Sequence, residues 1–251
     1  MRGVYSFALM TIRMLTRRRT FWGIAMVTLI ALAAIGSVPS FDVPGQGRFM
    51  VDFGLFGIEM GSLLLAIGLA SNIFPRDRET RTIMPLLAVP LSRTQYLMGR
   101  FLGAALVQTA ALMVWCVSLA VLLAAKGYHV PEALLPATLL LVAEGWFLLA
   151  VVFFFSFWTS PPLNAPLTLL LFIICQMSRA QLSNLISGAP WLVDALRLLL
   201  PRMEVFHIKD PVAHGIPVPT SYFLLASAYG FAYTAFMLSL AIAVFRRKDL
   251  K

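Results

Sequence analysis

Charged side chains are scarce in this sequence. They make up 12% of its 251 residues, where a soluble domain of this length uses about 25%. Acids are the scarcer sign, with 11 Asp and Glu against 20 Lys and Arg. No polar low-complexity tract and no internal repeat interrupts the chain. The motif G-x-x-x-x-G-K-[ST] is absent, which excludes a P-loop cradle for nucleotide phosphates. Ser, His and Asp never fall at a spacing that suggests nucleophilic catalysis, so no catalytic residue is assigned and the chain is not read as an enzyme. Cysteine is down to Cys116 and Cys175, both inside apolar runs where they read as small buried hydrophobes.

What fills the sequence instead is apolar, 60% of residues, with a mean hydropathy of +0.85. Runs of about twenty apolar residues predict an all-α, polytopic membrane protein, a single integral domain over 1–251. Five spans read directly, at about 21–38, 55–74, 101–125, 134–158 and 222–245. A sixth, at about 162–178, is short of the ~20 helical residues a hydrocarbon core requires. It lengthens if Arg179 snorkels to the interface. The first run reads as a span and not a cleaved signal, because its apolar core is long and spans follow it.

The basic residues orient this chain. With six spans and both termini inside, the inner segments hold Arg2, Arg13, Arg17, Arg18 and Arg19, then Arg76, Arg78, Arg81, Arg93 and Arg100, then Arg246, Arg247, Lys248 and Lys251. The outer segments hold only Arg48, Lys126, Arg179, Arg197, Arg202 and Lys209. Such an excess of Lys and Arg on one side marks the cytoplasmic face. The net charge of +9 is therefore topological, and no nucleic-acid partner is expected.

Before the first span, residues 1–20 place Val4, Phe7, Ala8, Ile12 and Leu15 at helical spacing beside a cluster of arginines, which predicts an amphipathic interfacial helix. Residues 178–221 form the longest outer segment. It is apolar as far as Pro201, so it is expected to lie against the membrane or dip into it, and then it turns polar and loop-like.

Glu59 and Glu144 are the acids well inside spans. An ionised carboxylate there costs about 2.5–3.5 kcal/mol, so both are candidates for a substrate pathway, with a hydrogen-bonded structural carboxyl as the alternative. The sequence Gly57-Ile58-Glu59-Met60-Gly61 also permits close helix approach. His129, His207 and His214 fall in outer segments and the 12 methionines are scattered, so no metal site is assigned.

The inner segment 75–100 differs from everything around it. In "PRDRETRTIMPLLAVPLSRTQYLMGRFLG", Pro75, Pro85 and Pro90 cut out a short piece of mixed charge. Ser92-Arg93-Thr94-Gln95 then has the S-x-x-Q form of a capping box at the head of a helix, with Arg93 and Arg100 on turns from which they can snorkel. A short charged helix of this kind suits docking on a partner protein.

This segment resembles the loop between the second and third spans of ABC-2 type ABC transporter permeases. There an acidic residue, a threonine, a leucine pair, P-x-S-R and G-K-x-x-G recur in order. Here they are Glu79, Thr82, Leu86 and Leu87, Pro90-Leu91-Ser92-Arg93, and Gly99-Arg100-Phe101-Leu102-Gly103. Arg81 stands where a glycine often precedes the threonine, and Arg100 replaces the lysine. The ending "FRRKDL" is similar to the family's F-x-R-R-D.

The resemblance implies six spans, an N-terminal elbow helix, and outer re-entrant helices between the fifth and sixth spans. It implies a non-catalytic permease subunit of a bacterial exporter in the cytoplasmic membrane. That subunit would form a homodimer, or pair with a related permease, and bind two copies of an ATPase subunit. ATP and magnesium would then belong to the partner, with no cofactor in this chain. Arg76, Asp77, Arg78, Glu79, Arg81, Thr82, Leu86, Leu87, Ser92 and Arg93 would form the coupling contact, and Ser160, Pro161 and Pro162 in "TSPPLNAP" a second one. Two other classes compete with this expectation: a membrane anchor that transmits force without moving a substrate, and an intramembrane enzyme.

Overall fold

The structure is a computed structural model that describes residues 2–37, 46–71, 73, 93–177, 181, 184, 191, 194, 201–214, 216 and 218–247. Every regular element among the described residues is helical. In chain order these are α1 (Arg2–Thr16), α2 (Arg19–Ser37), α3 (Gln46–Ala70), α4 (Arg93–Ala125), α5 (Leu134–Ser156), α6 (Pro161–Gln176), a 3-10 turn (Met203–Phe206), α7 (Lys209–Ala213) and α8 (Thr220–Arg247). Five of them, α2, α3, α4, α5 and α8, are long and apolar enough to cross a membrane. At 16 residues α6 measures about 24 Å and falls short of the hydrocarbon thickness of roughly 30 Å.

Helix α5 is the centre of the bundle. It is apolar on every side, as a helix must be when neighbours surround it, and 78% of its spanning window is buried against 17% for α2. Helices α3, α4, α6 and α8 all pack on it. Helix α2 leans on α3 from outside, where Gly61 makes room: a Cβ there would lie 2.7 Å from Thr28 Oγ1. A Cβ at Gly57 would sit at an ordinary 3.7 Å from Leu32, so only one glycine of that pair is needed for the approach.

The limits of the helices depart from the sequence reading at two places. Helix α3 begins at Gln46, so residues 46–54, expected in a loop, are helical. Tyr128 holds that start by donating its hydroxyl proton to Gln46 Oε1 at 2.9 Å, while Gly127 at φ +76 ends α4 and turns the chain toward it. At its other end α4 starts at Arg93, directly after the expected cap, and at 33 residues runs for about 50 Å.

Helix α1 is helical as expected; Phe7, Ala8, Thr11 and Leu15 are buried where it packs along α4, while Tyr5, Leu9 and Met10 stay exposed. Gly99 and Gly103 create the seam. A Cβ on Gly99 would stand 2.5 Å from Phe7 Cβ, and one on Gly103 would stand 2.7 Å from the Ala8 carbonyl oxygen. Arg100, between them, does not snorkel. It is 1% exposed, with Nη1 donating to Thr11 Oγ1 at 3.3 Å and its guanidinium 5.5 Å from the Tyr96 ring centre. A ring string of Phe7, Tyr96, Phe245 and Phe157 joins α1, α4, α8 and the end of α5 at this level.

Candidate functional site: a buried charge cluster

Glu59 lies about 20 Å along α3 and Glu144 about 15 Å along α5, counted from the ends of those helices near Gln46 and Leu134. Both carboxylates are buried, each 2% exposed, and both turn toward the same interior point. The pairing of two acids from separate helices was not visible in the sequence.

Their partners come from the segment after Pro201, which the sequence reading left as a polar loop. That segment enters the bundle. Met203, Phe206, Ile208 and Val212 are buried, the 3-10 turn packs on α5 and α6, and α7 packs on α3. The fit is close at Gly230 of α8, where a Cβ would meet the Phe206 ring at 2.9 Å and Ala143 Cβ at 3.0 Å. Phe206 and Ala143 immediately precede His207 and Glu144, so this contact sets the height at which the imidazole meets the acid. Tyr222 donates its hydroxyl proton to the Val205 carbonyl at 2.8 Å, and the Arg202 N–H donates to the Tyr229 hydroxyl at 2.9 Å.

His207 Nε2 thereby stands 3.0 Å from Glu59 Oε1 and 3.4 Å from Glu144 Oε2. Lys209 Nζ bonds the other Glu59 oxygen, Oε2, and lies 5.2 Å from the Phe56 ring centre. Gln176, the last residue of α6, donates to Glu59 Oε1 at 3.1 Å. Glu59 is therefore met by directed donors from two sides. Glu144 differs: among the described residues neither of its oxygens accepts a hydrogen bond with proper geometry, and the imidazole faces it.

A polar layer lies one turn from the acids. Gln108 of α4 donates through Nε2 to the Ser62 hydroxyl at 2.9 Å and to the Ser62 carbonyl at 3.2 Å. Gly145 of α5 closes over them, since a Cβ there would lie 2.6 Å from Gln108 Nε2. Thr109 accepts the Trp146 indole proton at 2.9 Å. These bonds hold α3, α4 and α5 in register at the height of the cluster.

Electrostatics favour the cluster as a unit. Two buried carboxylates would be costly alone, because each ion loses several kcal/mol of hydration. Here an imidazolium and an ammonium balance them. Burial works to lower the His207 pKa, but the facing carboxylates of Glu144 and Glu59 outweigh it and push the imidazole up from its usual 6.5 to about 9. The donor atoms of Glu59, Glu144 and His207 all lie within 4.8 Å of one another, a spacing that a metal ion could use. A divalent ion would have to take the proton from His207, and with Lys209 still in place the site would hold a net positive charge.

The raised His207 pKa carries a signed prediction. The charged imidazole is the form that holds the inserted segment, so its contribution should be complete below about 6.5 and lost as pH rises through about 9. The groups facing it are Glu59, Glu144 and, on its own segment, Lys209. Hydrogen exchange of the amides at 203–213, corrected for the intrinsic pH dependence, should show constant protection up to pH 6.5 and a decline toward pH 9. Protection that rises with pH over that range would refute the role.

Of the other expected site residues, Ser160 stands in extended backbone at the N-cap position of α6, with no bond from its side chain, and Pro161 and Pro162 are the first residues of that helix. Nearby Asn164 is fully buried and ties the turn to α5 by donating to the Val152 carbonyl at 3.1 Å. Arg93 heads α4. Arg76, Asp77, Arg78, Glu79, Arg81, Thr82, Leu86, Leu87 and Ser92 lie outside the described residues, as does most of 178–200. Compared with known proteins, the chain matches no family model and no curated sequence.

Proposed function

We propose that this chain is the permease subunit of an ATP-driven transporter of the ABC-2 exporter type, itself non-catalytic and working as a dimer with two copies of a separate ATPase. In this reading α6 is the short fifth of six spans, both termini are cytoplasmic, α1 is the elbow helix, and 178–221 is the outer segment. The ordered motifs from Glu79 to Gly103 support it. The observation that carries it furthest is the seam between α1 and α4.

Gly99-Arg100-Phe101-Leu102-Gly103 is the motif by which the sequence resembles the family. In this fold it clamps α1 to the first turns of α4, immediately after the segment 75–92. A force applied to that segment would reach a helix of about 50 Å whose Gln108 stands in the polar layer beside Glu59 and Glu144. ATP-driven closure of the ATPase pair would thus act on the acids through one continuous rod. Ionisable groups buried in spans mark transport pathways as a rule, and here two spans supply them.

The decisive experiment is on coupling. In a complex reconstituted with its ATPase, the double variant Glu79→Arg, Arg81→Glu should lower hydrolysis to the level of the ATPase alone while the permease stays inserted and dimeric. Unchanged stimulation would remove the docking role. Co-purification that yields no ATPase would favour the anchor or the enzyme instead.

A further inference from the structure

We propose that Glu59 and Glu144 form a receptor for the positive charge of a lipophilic organic cation, and that His207 and Lys209 are tethered occupants which this cargo displaces. The inference rests on the transporter reading and names its class of substrate.

The first observation is the condition of Glu144. A carboxylate that serves as a fixed fastening collects directed hydrogen-bond donors, because each unmet lone pair in the interior is costly. Asn164 and the Nε2 of Gln108 make such bonds, while Gln108 Oε1 and Gln176 Oε1, which are neutral, do not. Among the described residues Glu144, 2% exposed, has none; the His207 imidazole faces it at 3.4 Å. Such a group holds whatever cation is placed against it and gives it up without breaking directed bonds.

The second observation is the wall. Phe56 lies under the Lys209 ammonium at 5.2 Å, and on the His207 side Phe206, next in sequence, leads a separate ring contact with Tyr229 and Tyr233, with centroids 6.1 Å and 4.8 Å apart. Carboxylates set among aromatic faces suit a weakly hydrated, delocalised cation. They suit a hard inorganic ion less well, since it would have to shed its water.

The third observation is how the present cations arrive. Both ride on one short stretch, a four-residue turn followed by a five-residue helix, which borders a cleft of about 530 Å³ lined by Arg48, Tyr128, His129 and His214. Withdrawal of that stretch removes both positive charges at once. Two buried carboxylates then stand unbalanced, a state that the low dielectric does not tolerate. A cationic cargo restores neutrality at the step where the pathway opens. Return of His207 and Lys209 expels it again.

The test uses the full chain in lipid nanodiscs with tetraphenylphosphonium as probe. Glu144→Gln keeps the side-chain shape and breaks no hydrogen bond, so the variant should fold and bind the probe at least tenfold more weakly than wild type. Lys209→Gln weakens one tethered competitor and should bind several-fold more tightly. Saturating probe should also raise hydrogen exchange at 203–213. Equal binding by wild type and Glu144→Gln, or unchanged exchange at saturation, overturns the inference, as it would if protons alone filled the site. ATPase stimulation by the same preparations separates the two readings. Coupled hydrolysis with no specific probe binding refutes the cation receptor alone. Saturable, Glu144-dependent binding with no ATPase partner refutes the transporter reading and leaves the receptor standing.

Discussion

Lys209→Glu should destabilise the protein by about 3–5 kcal/mol, the usual cost of stranding a buried charge. The substitution sets a third carboxylate against Glu59 and Glu144, where the ammonium now bonds Glu59 Oε2. Exchanging the pair, with Glu59→Lys in the same chain, should recover a large part of the loss. Recovery stays incomplete because Gln176 Nε2 and His207, which face Glu59 Oε1 at 3.1 Å and 3.0 Å, would then face a cation. Lys126→Glu, at the exposed end of α4, is the control and should change stability by less than about 1 kcal/mol. Unfolding of the purified protein in mixed detergent checks all three. The charge cluster loses its structural meaning if Lys209→Glu costs no more than the control.

The second large effect is expected at the α1–α4 seam. Gly103→Ala adds one methyl group, and that atom would lie 2.6 Å from Thr11 Cβ and 2.7 Å from the Ala8 carbonyl oxygen. Neither neighbour is the end of a flexible side chain, so α1 must move as a body. The cost should be about 1–3 kcal/mol, as for other overpacked contacts. Arg100 would lose its place on Thr11, and in the proposed complex ATPase stimulation should fall with the seam. Gly57→Ala is the matched comparison. Its new methyl sits at 3.7 Å from Leu32 and gains about 0.8–1 kcal/mol of helix propensity, so it should be neutral or slightly stabilising. Equal losses at both positions would mean that the glycines act through backbone flexibility and not through close packing.

The sequence was legible where one run of residues decides the outcome alone. Apolar length predicts a helix regardless of its neighbours, so α2, α3, α4, α5 and α8 were found, and the prolines of "TSPPLNAP" open α6. The two acids stood out because a carboxylate inside an apolar run is conspicuous on its own. Their partners did not stand out. His207 and Lys209 belong to a stretch rich in proline and charge, which reads as a surface loop until Phe206 and Ile208 are seen to be buried beside them. The signal was there in the alternation Phe206-His207-Ile208-Lys209, whose apolar members have no reason to face water. Arg100 was misjudged for a related reason. Its exposure depends on whether α1 covers α4, and only the pair of glycines, read as a docking groove and not merely as a family motif, announces that cover.

The 150 residues that separate Glu59 from Lys209 impose an order on how the protein is made. During synthesis α3 and α5 leave the ribosome and enter the bilayer before residues 207–209 have been translated. For that interval both acids wait without the counter-charges that His207 and Lys209 later bring. Translation of the inserted segment ends the wait, converting two dormant acids into an ionic lock and making the last third of the chain the step that finishes the first.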